Sequence, residues 1–139
     1  METDKTKCPF CKLINEGLPP HVIYENGDFF IMLDKESLGF GHCMIIPKTH
    51  VVEVHELDDE TYNNLFLLAK KLAFKLKQVT ARKAVAFVAF GSGLPHAHLH
   101  LVPHDTSRIL VNPAEYVKNL SDEELKNNAE KLRALIGSL

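Results

Sequence analysis

Three histidines alternate with apolar residues in the segment 95–103, which reads Pro-His-Ala-His-Leu-His-Leu-Val-Pro. Because successive residues of a β-strand point to opposite faces, His96, His98 and His100 share one face while the residues between them fill the core. Imidazoles are polar and titrate near about pH 6.5, so three on one face make poor packing residues. Together they can attack an electrophile, donate hydrogen bonds to an anion or bind a metal. We therefore expect the chemistry of this protein at this segment.

A second group of potential ligands lies near the N-terminus, where Cys8 and Cys11 form a C-x-x-C pair. The pair is compatible with a structural metal, with free thiols or with redox chemistry. A thioredoxin-type pair belongs in a βαβ unit, and this one precedes the first predicted strand. A tetrahedral zinc site would need two more ligands. The third cysteine, Cys43, lies in a predicted strand and is expected to be a core residue.

Short apolar runs separated by turn residues predict the strands that position these groups. The runs cover residues 21–24, 29–33, 42–46, 84–90 and 97–102. The Asn26-Gly27 pair is a hairpin signal. The first three runs must be antiparallel, because a parallel return needs about a dozen residues. Residues 8–20 are expected to form a knuckle followed by a turn.

Helices are predicted after the third and the fifth strand. The long one begins at Asp58 or Asp59, and its apolar face consists of Tyr62, Leu65, Phe66, Ala69, Leu72, Ala73 and Leu76. A short helix is expected at Asn112-Pro113. The last helix opens with a capping box at Ser121 and buries Leu125, Ala129, Leu132 and Ile136. These elements predict an α+β fold, in which a five-stranded antiparallel sheet carries one long helix and additional C-terminal helices.

Length and composition limit the classes of protein. A chain of 139 residues has room for one domain, residues 1–139, since domains typically hold about 100–200 residues. The formal net charge of −2 disfavours nucleic-acid binding through a basic surface. No apolar run approaches the roughly 20 residues of a membrane span, and residues 1–5 lack the apolar region of a signal peptide. We expect a cytoplasmic protein with no membrane partner.

The segment 96–102 resembles the His-φ-His-φ-His-φ-φ signature, with φ apolar, of the histidine triad (HIT) family of nucleotidyl hydrolases and transferases. The resemblance extends from Cys8 to about His104, because the C-x-x-C pair, Asp34 and the segment 41–50 follow in the family's order. It is closest to the Hint-like branch with a zinc knuckle. The resemblance implies a HIT-like fold, a purine nucleotide as the small-molecule partner, and a homodimer whose active sites flank the interface.

The resemblance also implies roles for individual residues. His98 would attack the α-phosphorus of a nucleotide, giving a covalent nucleotidyl-histidine that water resolves. His100 would donate to the non-bridging oxygens, Asp34 would accept hydrogen bonds from the ribose, and His42 would line the phosphate pocket. The substrate would be a nucleoside phosphoramidate, an acyl-adenylate or a dinucleoside polyphosphate.

The resemblance supplies a complete set of metal ligands as well. Zinc-bearing HIT proteins and the related galactose-1-phosphate uridylyltransferases use the C-x-x-C pair, the histidine of Pro-Lys-x-His and the first histidine of the triad. Carried over to this sequence, a structural Zn²⁺ would be held by Cys8, Cys11, His50 and His96. Such an ion would tie the segment 1–20 to the catalytic strand and orient the neighbouring nucleophile.

Two regions depart from the Hint-like pattern. Gly91-Ser92-Gly93 stands where many members have Gly-Gln-Ser or Gly-Gln-Thr, and an upstream Asn is missing. Ser92, Gly93 or the main-chain N–H groups of this turn are expected to contact the phosphate instead. Residues 106–139 form a helical extension where Hint proteins have a short tail.

Three other functions remain compatible with the sequence. They are a nucleotidyltransferase with an acceptor other than water, a non-catalytic nucleotide-binding regulatory module, and a zinc-organised structural protein. The remaining histidines, His21, His55 and His104, are expected at the surface, as is Lys48.

Overall fold

The computed structural model describes residues 5–91 and 93–139. Its strands are β1 (Val22–Glu25), β2 (Phe29–Leu33), β3 (Glu36–Ser37), β4 (Cys43–Pro47), β5 (Ala84–Val88), β6 (Leu99–His104) and β7 (Lys118–Asn119). Its α-helices are α1 (Pro9–Glu16), α2 (Asp59–Thr80), α3 (Arg108–Val111) and α4 (Asp122–Ile136), and 3₁₀ turns occupy Lys5–Lys7, Val54–Glu56 and Pro113–Glu115.

Five of the strands form an antiparallel sheet, as predicted, and their order is β1-β2-β4-β6-β5. The two remaining short strands, β3 and β7, pair with each other. On one face of the sheet, fully buried side chains such as Ile31, Ile45 and Leu101 pack beneath α2 and α4. On the other face, Met44 and Val88 flank His100 in register. The sheet therefore separates the main core from the face that carries the chemistry.

The N-terminal segment folds as a helix rather than as the predicted knuckle and turn. Cys8 is the N-cap of α1, and its Sγ accepts a hydrogen bond from the Cys11 N–H at 3.4 Å. Pro9 occupies the first helical position, where its missing N–H costs nothing. Gly17 ends the helix with a φ of +130°, a conformation that favours glycine. The Pro9 and Gly17 signals were available in the sequence.

The long helix begins where it was predicted, because the Asp58 carboxylate accepts the N–H of Thr61. The residues that this helix buries differ in part from the predicted apolar face. Leu68 is buried, whereas Tyr62 is 39% exposed and lies against Phe66, with ring centroids 4.9 Å apart. Including Tyr62 in the buried stripe was therefore wrong. At that end of the helix Phe66 lies near Phe87, with ring centroids 6.4 Å apart, so the apolar stripe there contacts the edge strand β5.

The strand carrying the histidines begins later than predicted, at Leu99, and β5 ends earlier, at Val88. The main chain just before β6 is bound elsewhere, since the Ala97 N–H donates to Val51 O at 2.8 Å. The first two histidines therefore sit on a bound loop at the start of the strand. They are nevertheless buried like His100.

The C-terminal extension returns to the sheet twice. Residues 106–117 contain α3 and a 3₁₀ turn at Pro113, so the predicted short helix is a single turn preceded by another. The pairing of β7 with β3 attaches the chain beside Asp34. Helix α4, capped by Ser121, then packs against α2, β1 and β2 with its predicted apolar face buried. Among the described residues, no helix is both long and apolar enough for a membrane span.

Candidate active site and metal centre

The proton on His98 has a defined position. Its Nδ1 lies 2.7 Å from the main-chain oxygen of His96. A carbonyl oxygen can only accept, so Nδ1 carries the proton and the lone pair of the neutral ring is on Nε2. The Phe10 ring holds His98 in an edge contact, with centroids 5.5 Å apart. His98 therefore presents the lone pair of Nε2 on the side of the ring away from the His96 carbonyl.

A chain of hydrogen bonds fixes the opposite proton position on His100. The Leu38 N–H donates to His42 Nδ1 at 3.0 Å, so His42 must carry its proton on Nε2. That nitrogen lies 3.0 Å from His100 Nδ1, which accepts. The His100 proton is therefore on Nε2, a buried atom with no hydrogen-bond partner among the described residues. We call this arrangement of Leu38, His42 and His100 the donor chain, because it delivers one free N–H beside His98.

Burial keeps both rings of the donor chain uncharged at neutral pH. Desolvation lowers the pKa of His42 to about 4. Desolvation also lowers the pKa of His100 to about 4, helped by His98 and His42 and opposed by Asp34. A neutral ring has one N–H and one lone pair, which the donor chain requires of each of its members.

Local backbone geometry places His42. Gly41 precedes it with a φ of +93°, and a Cβ there would lie 3.0 Å from Thr80 Cγ2 and 3.2 Å from Pro103 Cγ. A glycine is thus required both for the conformation and for the close approach to α2. The turn is closed by the His42 N–H, which donates to Gly39 O.

Asp34 lies beside the donor chain. Its Oδ2 is 3.7 Å from both His42 Nε2 and His100 Nδ1, beyond hydrogen-bonding distance, and its Oδ1 accepts the Glu36 N–H at 3.0 Å. Its carboxylate lines a cavity of about 240 Å³ together with both histidines. The second carboxylate oxygen is available to accept hydrogen bonds from a ligand.

Two of the predicted phosphate contacts belong to the glycine-rich turn. Ser92 lies outside the described residues, and Gly93 does not line the cavity that Asp34 and His100 share. A Cβ at Gly91 would come within 2.5 Å of the Glu53 side chain, so a larger residue there would require Glu53 to move. Phe90 was not predicted as a site residue, yet its ring stacks on His100 with centroids 5.5 Å apart. Its only sequence signal was an apolar residue next to the turn.

The four predicted metal ligands come together at the N-terminus of α1. All four ligand atoms lie within 4.8 Å of one another. Cys8 Sγ is 3.3 Å from His96 Nδ1, Cys11 Sγ is 3.2 Å from His50 Nδ1, and the two Nδ1 atoms are 3.1 Å apart. We call these residues the Cys-His group.

The Cys-His group fits a tetrahedral ion. With Zn–N bonds of about 2.0 Å and Zn–S bonds of about 2.3 Å, ligand atoms are separated by about 3.3–3.8 Å, close to the distances found. His96 Nε2 donates to Pro47 O at 2.7 Å, which directs the Nδ1 lone pair towards the group. Burial and the neighbouring Cys8 raise the pKa of the Cys11 thiol to about 11.

Asp34, His42 and His100 also bring three ligand-type atoms within 4.8 Å. A metal there would need the lone pair of His42 Nε2. That nitrogen carries the proton, because Nδ1 already accepts the Leu38 N–H. The donor chain is therefore a hydrogen-bonding arrangement.

An antiparallel α+β fold with three buried, differently protonated imidazoles defines a histidine triad protein. A family model described as HIT domain matches residues 15–107. The chain belongs to this family.

Individual relatives agree with this family assignment. The chain is 32% identical over 109 residues to a HIT-like protein of Mycoplasma genitalium, covering 74% of this chain and 77% of that one. It is 27% identical over 136 residues to an adenosine 5′-monophosphoramidase of Schizosaccharomyces pombe, covering 93% and 98%. A second adenosine 5′-monophosphoramidase, from Saccharomyces cerevisiae, is 32% identical over 98 residues, covering 69% and 61%.

Solved structures confirm the fold. A Zn-bound histidine triad family protein from Mycobacterium smegmatis superposes with a TM-score of 0.75 at 22% identity, covering 96% of this chain and 95% of that one. A Hit-like protein from Bartonella henselae gives 0.78 at 24% identity, covering 94% and 97%.

Proposed function

We propose that the protein is a nucleotidyl hydrolase that cleaves the phosphorus–nitrogen bond of a purine nucleoside 5′-phosphoramidate. The observation that carries this proposal is the pair of opposite proton positions: His98 offers a lone pair at Nε2, and His100 offers an N–H beside it. The relatives named adenosine 5′-monophosphoramidase support adenosine as the nucleoside.

The reaction would proceed in two steps. His98 Nε2 forms a bond to the α-phosphorus while the bond from phosphorus to the leaving nitrogen breaks, and that nitrogen takes a proton from solvent. Water then attacks phosphorus, the bond to His98 breaks, AMP leaves, and one proton returns to solvent. The intermediate is an imidazolium whose Nδ1–H is bound to the His96 carbonyl oxygen, which stabilises its positive charge.

The neighbouring residues would hold the nucleotide. The free His100 N–H is suited to a non-bridging phosphate oxygen, where charge must be stabilised in the transition state. Asp34 is suited to the ribose hydroxyls, because its Oδ2 is available at the cavity wall. The uncharged His42 would act by holding the proton position of His100. We retain Ser92 and Gly93 as candidate phosphate contacts.

Replacing the nucleophile tests this function. His98→Ala is expected to lower kcat/KM for adenosine 5′-phosphoramidate by about 10⁴-fold or more, with AMP affinity retained in calorimetry. Mass spectrometry of the wild type should map an adenylyl adduct to His98. His21→Ala, a half-buried histidine away from the site, is the matched control and should keep its activity.

Other outcomes would support the alternatives. AMP binding without turnover or adduct would indicate a regulatory module. Transfer of labelled AMP to an acceptor other than water would indicate a nucleotidyltransferase. Metal content with no nucleotide affinity would indicate a structural protein.

We further propose that the Cys-His group holds Zn²⁺. Two thiolates and two imidazoles are the donor set of a closed structural zinc site. Cys8, Cys11, His50 and His96 would be the ligands, with no open position for water. The ion would stabilise the attachment of α1 to the loop that precedes β6.

We also propose that two copies associate through the edge of β5. This strand has a neighbour on one side only. It carries Phe87, which lines a shallow groove together with Phe74 of α2. The Phe74 side chain is 70% exposed. An uncovered edge strand can pair with another chain, and an exposed apolar patch is typical of an interaction surface. A second copy fits because antiparallel pairing of β5 with itself would bring the two patches together.

The mass in solution tests this proposal. Light scattering is expected to give a dimer for the wild type and a monomer for Phe74→Asp. Val111→Asp, at a position 84% exposed on the C-terminal segment, should remain a dimer. A monomeric wild type would contradict the assignment.

A further inference from the structure

The C-terminal extension forms part of the wall of the cavity beside His100. Four apolar side chains of residues 106–117 line this cavity. These are Ile109, Leu110, Pro113 and Val117. We call them the roof.

The cavity has a polar end and an apolar end. Asp34, Glu36 and His42 lie towards β2 and β4, whereas Val88, Phe90 and Val102 lie on and beside β5 and β6, and the roof residues line the same cavity. At about 240 Å³ it is smaller than the roughly 300–1,000 Å³ of a pocket for a whole ligand. It therefore fits one part of a substrate, and its apolar end suits an uncharged hydrocarbon or aromatic group.

The sheet order indicates which part enters. If Asp34 on β2 binds the ribose and His98 and His100 on β6 bind the phosphate, the substrate crosses the sheet from β2 towards β6. A group attached to phosphorus on the side away from the ribose then continues over β5, under the roof. We propose that the roof and the side chains beneath it form a subsite for an apolar leaving group. This inference rests on the proposed function.

The roof is held in place by contacts away from the substrate. Ile109 is buried, the pairing of β7 with β3 anchors the following chain, and the Leu120 N–H donates to Lys35 O at 2.9 Å. Leu110 is 39% exposed, so it can be shortened without emptying a core position. Val111 is the adjacent residue, does not line the cavity and provides the matched control.

Two phosphoramidates test the subsite, one releasing ammonia and one releasing benzylamine, each carrying adenosine. The wild type should have the higher kcat/KM for the benzylamine compound. Leu110→Ser should lower that value by about tenfold and leave the value for the ammonia compound unchanged. Val111→Ser should match the wild type on both. Equal losses on the two substrates would overturn the subsite, because a structural defect affects both alike.

Binding separates this inference from the proposed function. In the His98→Ala background, calorimetry should show the benzylamine compound binding more tightly than the ammonia compound, and Leu110→Ser should remove the difference. If neither compound is hydrolysed by the wild type, the proposed function fails, while this binding difference still decides the subsite. If Leu110→Ser instead changes the preference between adenosine and guanosine, the cavity takes the base and the leaving-group assignment is wrong.

Discussion

The protein buries two clusters of imidazoles that differ in where their protons lie. In the Cys-His group, the Pro47 carbonyl oxygen accepts the Nε2–H of His96. The Nδ1 lone pair of this ring therefore faces the other ligand atoms. In the donor chain, a main-chain N–H starts a series in which each ring accepts on one nitrogen and donates from the other. The first arrangement suits a cation and the second an anion. The residue type alone did not distinguish them, whereas the adjacent backbone groups do.

The two clusters meet at one residue. The His96 ring belongs to the Cys-His group, and the His96 carbonyl oxygen accepts the proton of His98. The nucleophile is therefore oriented by the backbone of a candidate metal ligand. Each cluster can be disrupted separately, and the readouts should differ.

Disrupting the Cys-His group should have the largest effect. Cys11→Ser is expected to reduce zinc content, measured by elemental analysis, from one ion per chain to a small fraction. It should lower the free energy of unfolding by about 3 kcal/mol or more, since metal binding is coupled to folding. Cys43→Ala, a buried cysteine remote from the group, should keep its zinc. If Cys11→Ser lost its zinc but unfolded with the free energy of the wild type, the Cys-His group would not have the stabilising role that separates it from the donor chain.

Disrupting the donor chain should affect catalysis with little change in metal content. His42→Ala frees His100 Nδ1 to carry the proton, so kcat should fall by about 10²-fold, comparable to the loss of one transition-state donor. His42→Gln can again donate an N–H to His100 Nδ1 and should recover part of the rate. Equal activities of the two variants would show that the proton position of His100 is not what His42 supplies.

The smallest expected effect is on the pH dependence of stability. The folded-state pKa of His42, about 4, lies below the unfolded value of 6.5, so the unfolded chain binds more protons between these values. The contribution of neutral His42 is present above pH 6.5 and is lost as pH falls towards 4. At about pH 5.5, one unit below the unfolded value, this loss amounts to about 1.4 kcal/mol. Denaturant unfolding of the wild type and His42→Gln should therefore show the wild type losing more stability on acidification.

Patterns that depend on local chemistry were predictable from the sequence. The hairpin at Asn26-Gly27, the cap at Asp58 and the apolar face of α4 are all where the sequence indicated. The four members of the Cys-His group, which lie together, were indicated by the resemblance to the family and not by local patterns. Short connections predicted antiparallel neighbours but not the order of the strands. The helix α1 was not predicted, although Pro9 and Gly17 are ordinary helix-end signals.

Features that depend on long-range contacts were not predictable. Leu110 and Val117 belong to no sequence motif. They line the cavity because β7 pairs with β3, and these two strands are far apart in the chain. The proton positions depend on the Pro47 carbonyl and the Leu38 N–H, which no side-chain pattern specifies. The start of β6 was misplaced because Ala97 bonds to Val51 instead of to a neighbouring strand.

The double use of His96, ring in one direction and carbonyl in another, restricts how the sequence can evolve. Inserting or deleting a single residue between His96 and His100 would turn every following side chain to the opposite face of the sheet. It would also separate His98 from the oxygen that holds its proton. Related sequences should therefore keep the spacing between the first and the third histidine.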